Sequence, residues 1–163
     1  MITLKEIKNE ISKKENFYFL IIILFIFCID RYSKIKIINN FSGTSFYLND
    51  FLNLNLLWNT GIGFGILSST TGYIYNSISL LIGLIVIFLL LFSLRSDNFD
   101  KVIFAMIIGG ALGNFYDRLV FKAVPDFIDL HYGSLHWFTF NIADIFITIG
   151  IIGYILKGIF IKN

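Results

Sequence analysis

Two aspartates, Asp126 and Asp144, carry the strongest chemical signal in the sequence. Asp144 lies at the start of a long apolar run, and Asp126 follows Pro125, whose ring fixes the backbone just before it. An ionisable group at the edge of a membrane span is costly and usually functional. Two neighbouring carboxyl groups can share one proton, so that one activates a water while the other polarises a carbonyl. The pair is therefore a candidate for aspartyl catalysis.

Other roles stay open for these residues. Either aspartate could cap a helix or pair with Arg118, and buried ion pairs also shift pKa values without catalysing anything. Asp117 and Arg118 are adjacent at the end of an apolar run. We expect them to pair with each other, because an unpaired charge in lipid is costly. Arg118 is equally suited to bind a lipid phosphate or a substrate main chain.

Further polar residues lie at the ends of apolar runs. Asp30 and Lys34 are four residues apart, on one helical face, where we expect a structural ion pair. The small residues from Gly109 to Gly113 favour close packing of helices. Three asparagines are suited either to bonds between helices or to holding an extended peptide: Asn59, Asn114 and Asn141.

Two histidines raise a metal-dependent alternative. His131 and His136 lie near Asp126 and Asp129, but their spacing matches no zinc motif such as H-E-x-x-H. We interpret them as histidines of an interfacial loop and predict no metal. Serine catalysis lacks a G-x-S-x-G turn. The single cysteine, Cys28, lies in an apolar run without an evident histidine partner.

The composition is that of a membrane protein. Of the 163 residues, 56% are hydrophobic and only 15% are charged, and the mean hydropathy is +0.78. A soluble domain has about 25% charged residues. The apolar residues form four runs, which predict one all-α membrane domain over residues 1–163 with spans at about 17–38, 72–94, 102–121 and 139–159. A net charge of +2 without a basic patch gives no indication of nucleic-acid binding.

Two segments between the spans differ in character. Alternation over residues 51–56 predicts short extended strands within the loop from Asn39 to Thr71. Gly61, Gly63 and Gly65 then argue against a regular helix. The segment Phe121–Phe138 is predicted as a mixed loop. The strands would form a small β-structure outside the membrane.

Lysine placement predicts the orientation. Both ends of the chain carry lysines, which by the positive-inside bias places both termini in the cytoplasm: Lys5, Lys8, Lys13, Lys14, Lys157 and Lys162. Four spans agree with that arrangement. The first apolar run is followed by Asp30-Arg31 instead of small residues, so we do not interpret it as a cleaved signal peptide. With this orientation, the polar motifs all converge at the outer end of the bundle.

Five motifs together resemble the bacterial signal peptidase II family, the lipoprotein signal peptidases. They occur in the order of that family and extend from the first span to the fourth: DRYSK at 30–34, NTGIGFG at 59–65, GGALGNFYDR at 109–118, VPDFID at 124–129 and FNIAD at 140–144. The sequence departs from the family pattern at Ile62-Gly63, where small residues are frequent, and at Ala123, where glycine is common. These departures concern the packing of loops.

The resemblance implies a fold of four spans with a small outer β-structure. It implies that Asp126 and Asp144 are catalytic and that nine residues support the site or bind substrate: Asp30, Lys34, Asn59, Gly61, Asn114, Asp117, Arg118, Asn141 and Ala143. The implied reaction is cleavage of diacylglyceryl prolipoproteins before the lipidated cysteine. No cofactor is implied, globomycin is an expected inhibitor, and the implied location is the bacterial cytoplasmic membrane, in contact with its lipid. The main alternative is a non-enzymatic transporter or assembly subunit with structural ion pairs.

Overall fold

The computed structural model describes residues 13–41, 43, 45–61 and 72–160. Within these ranges the chain forms helices and strands in this order: α1 Lys14–Asn40, β1 Ser45–Asn49, β2 Leu52–Asn59, α2 Gly72–Ser93, α3 Asn98–Phe121, β3 Val124–Tyr132, β4 Leu135–Phe140 and α4 Ile142–Phe160. Several residues used above lie outside the described ranges: Lys5, Lys8, Lys162 and residues 62–65.

Three of the described helices are long and apolar enough to cross a membrane. These candidate spans are Tyr75–Ser93, Asn98–Phe121 and Ile142–Phe160. Helix α1 has 27 residues, or about 40 Å at 1.5 Å per residue, which exceeds the apolar thickness of a bilayer. Its second half, however, carries Asp30, Arg31 and Lys34. The chain is thus mostly helical and membrane-embedded, and the first span stays a prediction.

The strands form one antiparallel sheet in the order β1-β2-β3-β4. The prediction of a mixed loop over Phe121–Phe138 is wrong, because β3 and β4 form a hairpin there. Strand β3 pairs with β2 on one side and with β4 on the other, and it is buried along most of its length. A strand with both faces covered does not show the polar–apolar alternation that marks a half-exposed strand. The fourth predicted span also begins too early, because residues 139–140 belong to β4.

Helix α3 is the centre of the bundle. Its residues Phe104, Ala105 and Ile108 pack against Phe19 and Ile23 of α1 in a buried apolar core. A Cβ at Gly110 would lie 2.5 Å from the carbonyl oxygen of Ala143, and one at Gly113 would collide with the carboxylate of Asp30. These small residues allow α3 to approach both α1 and α4, as predicted for a membrane bundle. This packing brings the polar residues of three helices together at one end.

Candidate active site

Asp126 is buried on β3, with 2% of its surface exposed. Its two oxygens each accept a hydrogen bond from an asparagine: Oδ2 from Asn59 Nδ2 at 2.9 Å and Oδ1 from Asn141 Nδ2 at 2.6 Å. Asn59 lies at the end of β2, and its own Oδ1 accepts from the backbone N–H of Gly61 at 2.9 Å. Because that oxygen is occupied, the NH₂ group of Asn59 must face Asp126.

Asp144 lies in the first turn of α4 and is half-buried. Its Oδ2 accepts from the backbone N–H of Asn141, and the Oδ1 of Asn141 accepts from the backbone N–H of Asp144, both at 3.1 Å. This reciprocal arrangement is a capping box, which fixes the start of the helix. The capping role considered for Asp144 is therefore present. It occupies one oxygen, while Oδ1 accepts from Asn114 Nδ2 at 2.8 Å.

Asn141 connects the two aspartates. Its side-chain NH₂ binds Asp126, while its side-chain oxygen and backbone N–H bind Asp144. Burial, and then the negative charge of Asp144, raise the pKa of Asp126 from its ordinary value of 3.8 to about 6, against the opposing effect of the bonds from Asn59 and Asn141. The two carboxyl groups thus interact electrostatically, and Asp126 loses its proton at a higher pH than an exposed aspartate does.

Lys34 organises a second group of polar residues beside this pair. Its Nζ donates to Asp30 Oδ2 at 2.8 Å, to Asp117 Oδ2 at 2.8 Å and to Asn114 Oδ1 at 2.7 Å. The predicted pairing of Asp30 with Lys34 is confirmed, and both side chains are fully buried. Because the oxygen of Asn114 faces the ammonium group, its NH₂ group must face Asp144. Lys34 therefore orients Asn114, which donates a hydrogen bond to Asp144.

Asp30 attaches α1 to the start of α4. Its Oδ1 accepts from the backbone N–H of Ala143 at 3.0 Å, one residue before Asp144. A carboxylate at the N-terminus of a helix satisfies a free N–H group and interacts favourably with the helix dipole. Ala143 is fully buried at this contact. Asp30 therefore fixes the position of the helical turn that carries Asp144.

The expected pair between Asp117 and Arg118 is wrong. Adjacent residues of an α-helix point about 100° apart, and these two bind different partners. Asp117 binds Lys34 and also Arg31, whose Nη1 lies 2.5 Å from Asp117 Oδ1. Arg118 donates through Nη2 to the carbonyl oxygen of Gly61 at 2.5 Å, and its guanidinium lies 5.8 Å from the ring centre of Tyr75.

Arg31 and Tyr75 belong to this region and were not predicted. Arg31 follows Asp30 in the DRYSK motif, and its charge at the edge of an apolar run could have marked it as a residue of this region. Tyr75 donates through its hydroxyl to the carbonyl oxygen of Arg118 at 2.9 Å. Nothing in the apolar run around Tyr75 marks it as a partner of Arg118, since that contact depends on how α2 packs against α3.

A cavity of about 440 Å³ opens beside the carboxylate pair, between α2, α3 and α4. Asn114, Arg118 and Asp144 line its polar end, and the rest of its wall is largely isoleucine, leucine and valine. Two nitrogens of Arg118, Nε and Nη1, are buried without a hydrogen-bond partner among the described residues. The cavity thus combines apolar walls with donor groups and a carboxylate at one end, as substrate sites do.

The two histidines lie together on the β3–β4 hairpin. Their rings stack with centres 5.3 Å apart, and His136 Nδ1 lies 2.7 Å from Asp129 Oδ2. His131 Nε2 lies 3.4 Å from Asn53 Nδ2. Across residues 13–41, 45–61 and 72–160, no three His, Cys, Asp or Glu side chains are grouped so that they could hold a metal ion. The two hairpin histidines therefore contact each other, Asp129 and Asn53.

Comparisons with known proteins agree with this geometry. The family described as Signal peptidase (SPase) II matches residues 22–160. A lipoprotein signal peptidase of Pelagibacter ubique (strain HTCC1062) is 49% identical over 158 residues, which are 95% of each chain. One from Francisella tularensis subsp. mediasiatica (strain FSC147) is 38% identical and covers 90% of this chain and 93% of its own.

A solved structure has the same fold. This structure of a bacterial membrane enzyme has a TM-score of 0.73 and 32% sequence identity, covering 90% of this chain and 92% of its own. The family match extends from the apolar half of α1 to the end of α4, so it includes every polar residue described above. The chain is a multi-pass membrane protein and belongs to the signal peptidase II family.

Proposed function

We propose that this chain removes signal peptides from prolipoproteins as an aspartyl endopeptidase, with Asp126 and Asp144 as its catalytic residues. The main support is that Asn141 joins the two carboxyl groups, one of which, that of Asp144, lines the polar end of an apolar cavity. Their other side-chain partners among the described residues are uncharged amides. Neither carboxylate forms an ion pair with a residue that the structure describes, which supports an acid–base role for both.

The charges of the region support one shared proton. The connected polar network contains three cations and four carboxyl groups: Arg31, Lys34, Arg118, Asp30, Asp117, Asp126 and Asp144. One proton on the aspartate pair brings this network to zero net charge. A neutral total is the inexpensive state for a group of charges held away from water. Burial and the neighbouring carboxylate raise the pKa of Asp126, so the pair holds a proton more tightly than an exposed aspartate does.

The shared proton gives each carboxyl group a role. The ionised aspartate accepts a proton from a water, whose oxygen then attacks the scissile carbonyl carbon. The protonated aspartate donates a hydrogen bond to the carbonyl oxygen, which becomes negative as the tetrahedral intermediate forms. When the C–N bond breaks, the departing amine takes up a proton from the pair. Water is consumed, and the pair returns to its original protonation state.

The cavity supports a lipid-attached peptide as substrate. Its apolar walls face between helices that can span a membrane, so acyl chains or an apolar signal peptide can enter laterally. The unpartnered N–H groups of Arg118 are suited to carbonyl oxygens of the substrate main chain. We infer that the substrate is a diacylglyceryl prolipoprotein, cleaved before its lipidated cysteine, and that globomycin inhibits by occupying the same cavity.

Helix α1 supplies the fourth span in this proposal. Its charged residues Asp30 and Lys34 are fully buried against other helices, so they do not face lipid. The site would then lie at the outer face of the cytoplasmic membrane, with both termini in the cytoplasm. Membership of a peptidase family does not favour the alternative role as a transporter or assembly subunit.

The test is cleavage of a diacylglyceryl prolipoprotein peptide in detergent by the wild type, Asp126→Asn and Asp144→Asn, each with and without EDTA. We expect both substitutions to abolish cleavage and EDTA to have no effect. Asp129→Asn is the matched control, because Asp129 is a buried aspartate of the same strand that binds His136 instead. Full cleavage by Asp126→Asn or Asp144→Asn contradicts the proposal, and inhibition by EDTA would favour a metal-dependent reaction.

A further inference from the structure

A polar cavity of about 430 Å³ lies at the end of the bundle opposite to the aspartate pair. It is formed by the start of α1, the turn between α2 and α3, and the first turn of α3. Among the residues that the structure describes, three cationic side chains and one acidic side chain, Glu15, line it: Lys13, Arg95 and Lys101 are the cations. The excess of positive charge favours an anionic ligand.

Lys101 is the central residue of this cavity. Only 6% of its surface is exposed, yet within the described part of residues 13–160 the one carboxylate paired with it, Glu15 Oε2, lies 3.7 Å from its Nζ. That distance is too long for a hydrogen bond, and most of the Glu15 side chain is exposed. A buried ammonium group normally requires closer partners. Lys101 is therefore available to an anion that enters the cavity.

Arg95 adds a second available cation. It is exposed at the end of α2 and forms no ion pair with any residue that the structure describes. The neighbouring acidic residues do not compete for it, because Asp97 and Asp100 both bind Lys157 at 2.7 Å. The guanidinium group, with its planar set of donors, is well suited to phosphate oxygens.

An apolar groove continues from the polar cavity. A second cavity of about 160 Å³ shares Glu15 and Lys101 with the first and runs between α1 and α3. Its walls include Tyr18, Phe19 and Val102. The polar part lies where two candidate spans end and begin, at Ser93 and Asn98, which is the depth of the lipid headgroups. The two cavities together place cationic side chains beside an apolar groove, which is the polarity that a phospholipid headgroup and acyl chain require.

We propose that this site binds one anionic glycerophospholipid of the membrane. Arg95 and Lys101 bind its phosphate, and an acyl chain lies in the groove between α1 and α3. Basic pockets between membrane helices are a known form of headgroup site. The proposal is independent of the catalytic function, since every residue in it lies at the other end of the bundle.

The test is native mass spectrometry of the full chain in a neutral detergent, titrated with phosphatidylglycerol or phosphatidylcholine. We expect one tightly retained phosphatidylglycerol per protein and weaker retention of phosphatidylcholine. Arg95→Gln and Lys101→Gln should each weaken phosphatidylglycerol binding about fivefold, as expected for one basic residue near a headgroup. Arg95→Gln is informative even where Lys101→Gln disturbs folding, because Arg95 is exposed and has no ion pair within the described part of the chain.

Lys36→Gln is the matched control, because it removes an exposed cation at the other end of α1 and should leave binding unchanged. A further titration uses inorganic phosphate alone. Equal retention of the two lipids, unchanged binding in Arg95→Gln, or an equal loss in Lys36→Gln would overturn the proposal. Displacement of phosphatidylglycerol by millimolar inorganic phosphate would also overturn it, by showing an ion site instead of a lipid site.

Discussion

Two clusters of polar side chains lie side by side at one end of this bundle, and their carboxylates are stabilised in different ways. Around Lys34, two carboxylates and two cations are paired at 2.5 to 2.8 Å. Around Asn141, the carboxyl groups of Asp126 and Asp144 are bound by amides. The first group balances its charge within itself and holds three helices in position. The second has two acids that form no ion pair with any described residue, and we propose that its charge depends on one shared proton.

The group around Lys34 supports the fold, whereas we propose that the aspartate pair carries out the reaction. The balanced group positions Asn114 and Ala143, through which it fixes the surroundings of Asp144. The aspartate pair keeps its acid–base capacity because no cation fixes either carboxylate in the ionised state. Replacing residues of the two groups should therefore have opposite effects on stability and activity, and the following experiments compare them.

The largest effect is expected for Asp144→Asn. The substitution preserves shape and removes the carboxylate, so we expect cleavage to fall by at least about 10⁴-fold, as when an essential member of a catalytic unit is lost. Folding should persist, because an asparagine can still cap α4. The measurement is the initial rate of prolipoprotein peptide cleavage, with the melting temperature in detergent as the folding control. A rate within tenfold of the wild type contradicts the assignment.

Lys34→Met should act chiefly on stability. It leaves Asp30 and Asp117 buried with Arg31 as the nearest remaining cation, and breaking such a buried ion pair costs about 3–5 kcal/mol. We expect a correspondingly lower free energy of unfolding in a denaturant titration. Lys36→Met, an exposed lysine of the same helix, should change it by less than about 0.5 kcal/mol. Equal stability of the two variants would show that the Lys34 group is not structural.

Asp126→Asn should increase stability near neutral pH. Because the pKa of Asp126 rises from 3.8 to about 6 on folding, its favourable contribution is complete below pH 3.8 and is lost as the pH rises through 6. The ionised residue then costs the folded state up to about 3 kcal/mol. The variant cannot ionise there, so its stability relative to the wild type should increase between pH 4 and pH 7. Unfolding titrations at both pH values measure this, and a constant difference contradicts it.

Asn114→Ala should give the smallest of these effects. It removes the bond to Asp144 and the contact with Lys34, but leaves both charged groups in place. We expect kcat/KM to fall about 10- to 100-fold, the effect of one lost bond to a charged group. Ser79→Ala is the control, because Ser79 is a buried polar residue whose hydrogen bond, among the described residues, stays within α2, to the carbonyl oxygen of Tyr75. Equal activity of the two variants would show that Asn114 does not orient Asp144.

The sequence indicated the polar residues at this end of the bundle, but it did not always indicate which residues they bind. Spacing alone predicted the bond between Asp30 and Lys34, because residues four apart share a helical face. It failed for Asp117 and Arg118, since adjacency in sequence places side chains on different faces. The partners of these two, Arg31 and Gly61, come from distant segments. Such contacts depend on helix packing, which no local pattern encodes.

The prediction of secondary structure was limited in the same way. Apolar runs predicted where the helices lie, and alternation over residues 51–56 predicted strand β2. Strand β3 was missed because it is covered on both faces and begins with Val124-Pro125, which resembles a loop. Its place between β2 and β4 brings Asp126 to Asn59 and Asn141. The sequence therefore indicated the polar residues on which the proposed site is built, while the sheet determines how Asp126 meets its partners.

The most direct test of the central claim is the double variant Asp126→Asn/Asp144→Asn, compared with both single variants in the same cleavage assay. Two residues that share one proton act as a unit, so we expect the double variant to be no less active than either single one. If the two residues contributed independently, the fold-losses in activity of the two single variants would multiply in the double variant. Multiplying losses, or substantial activity in either single variant, would contradict a shared catalytic pair.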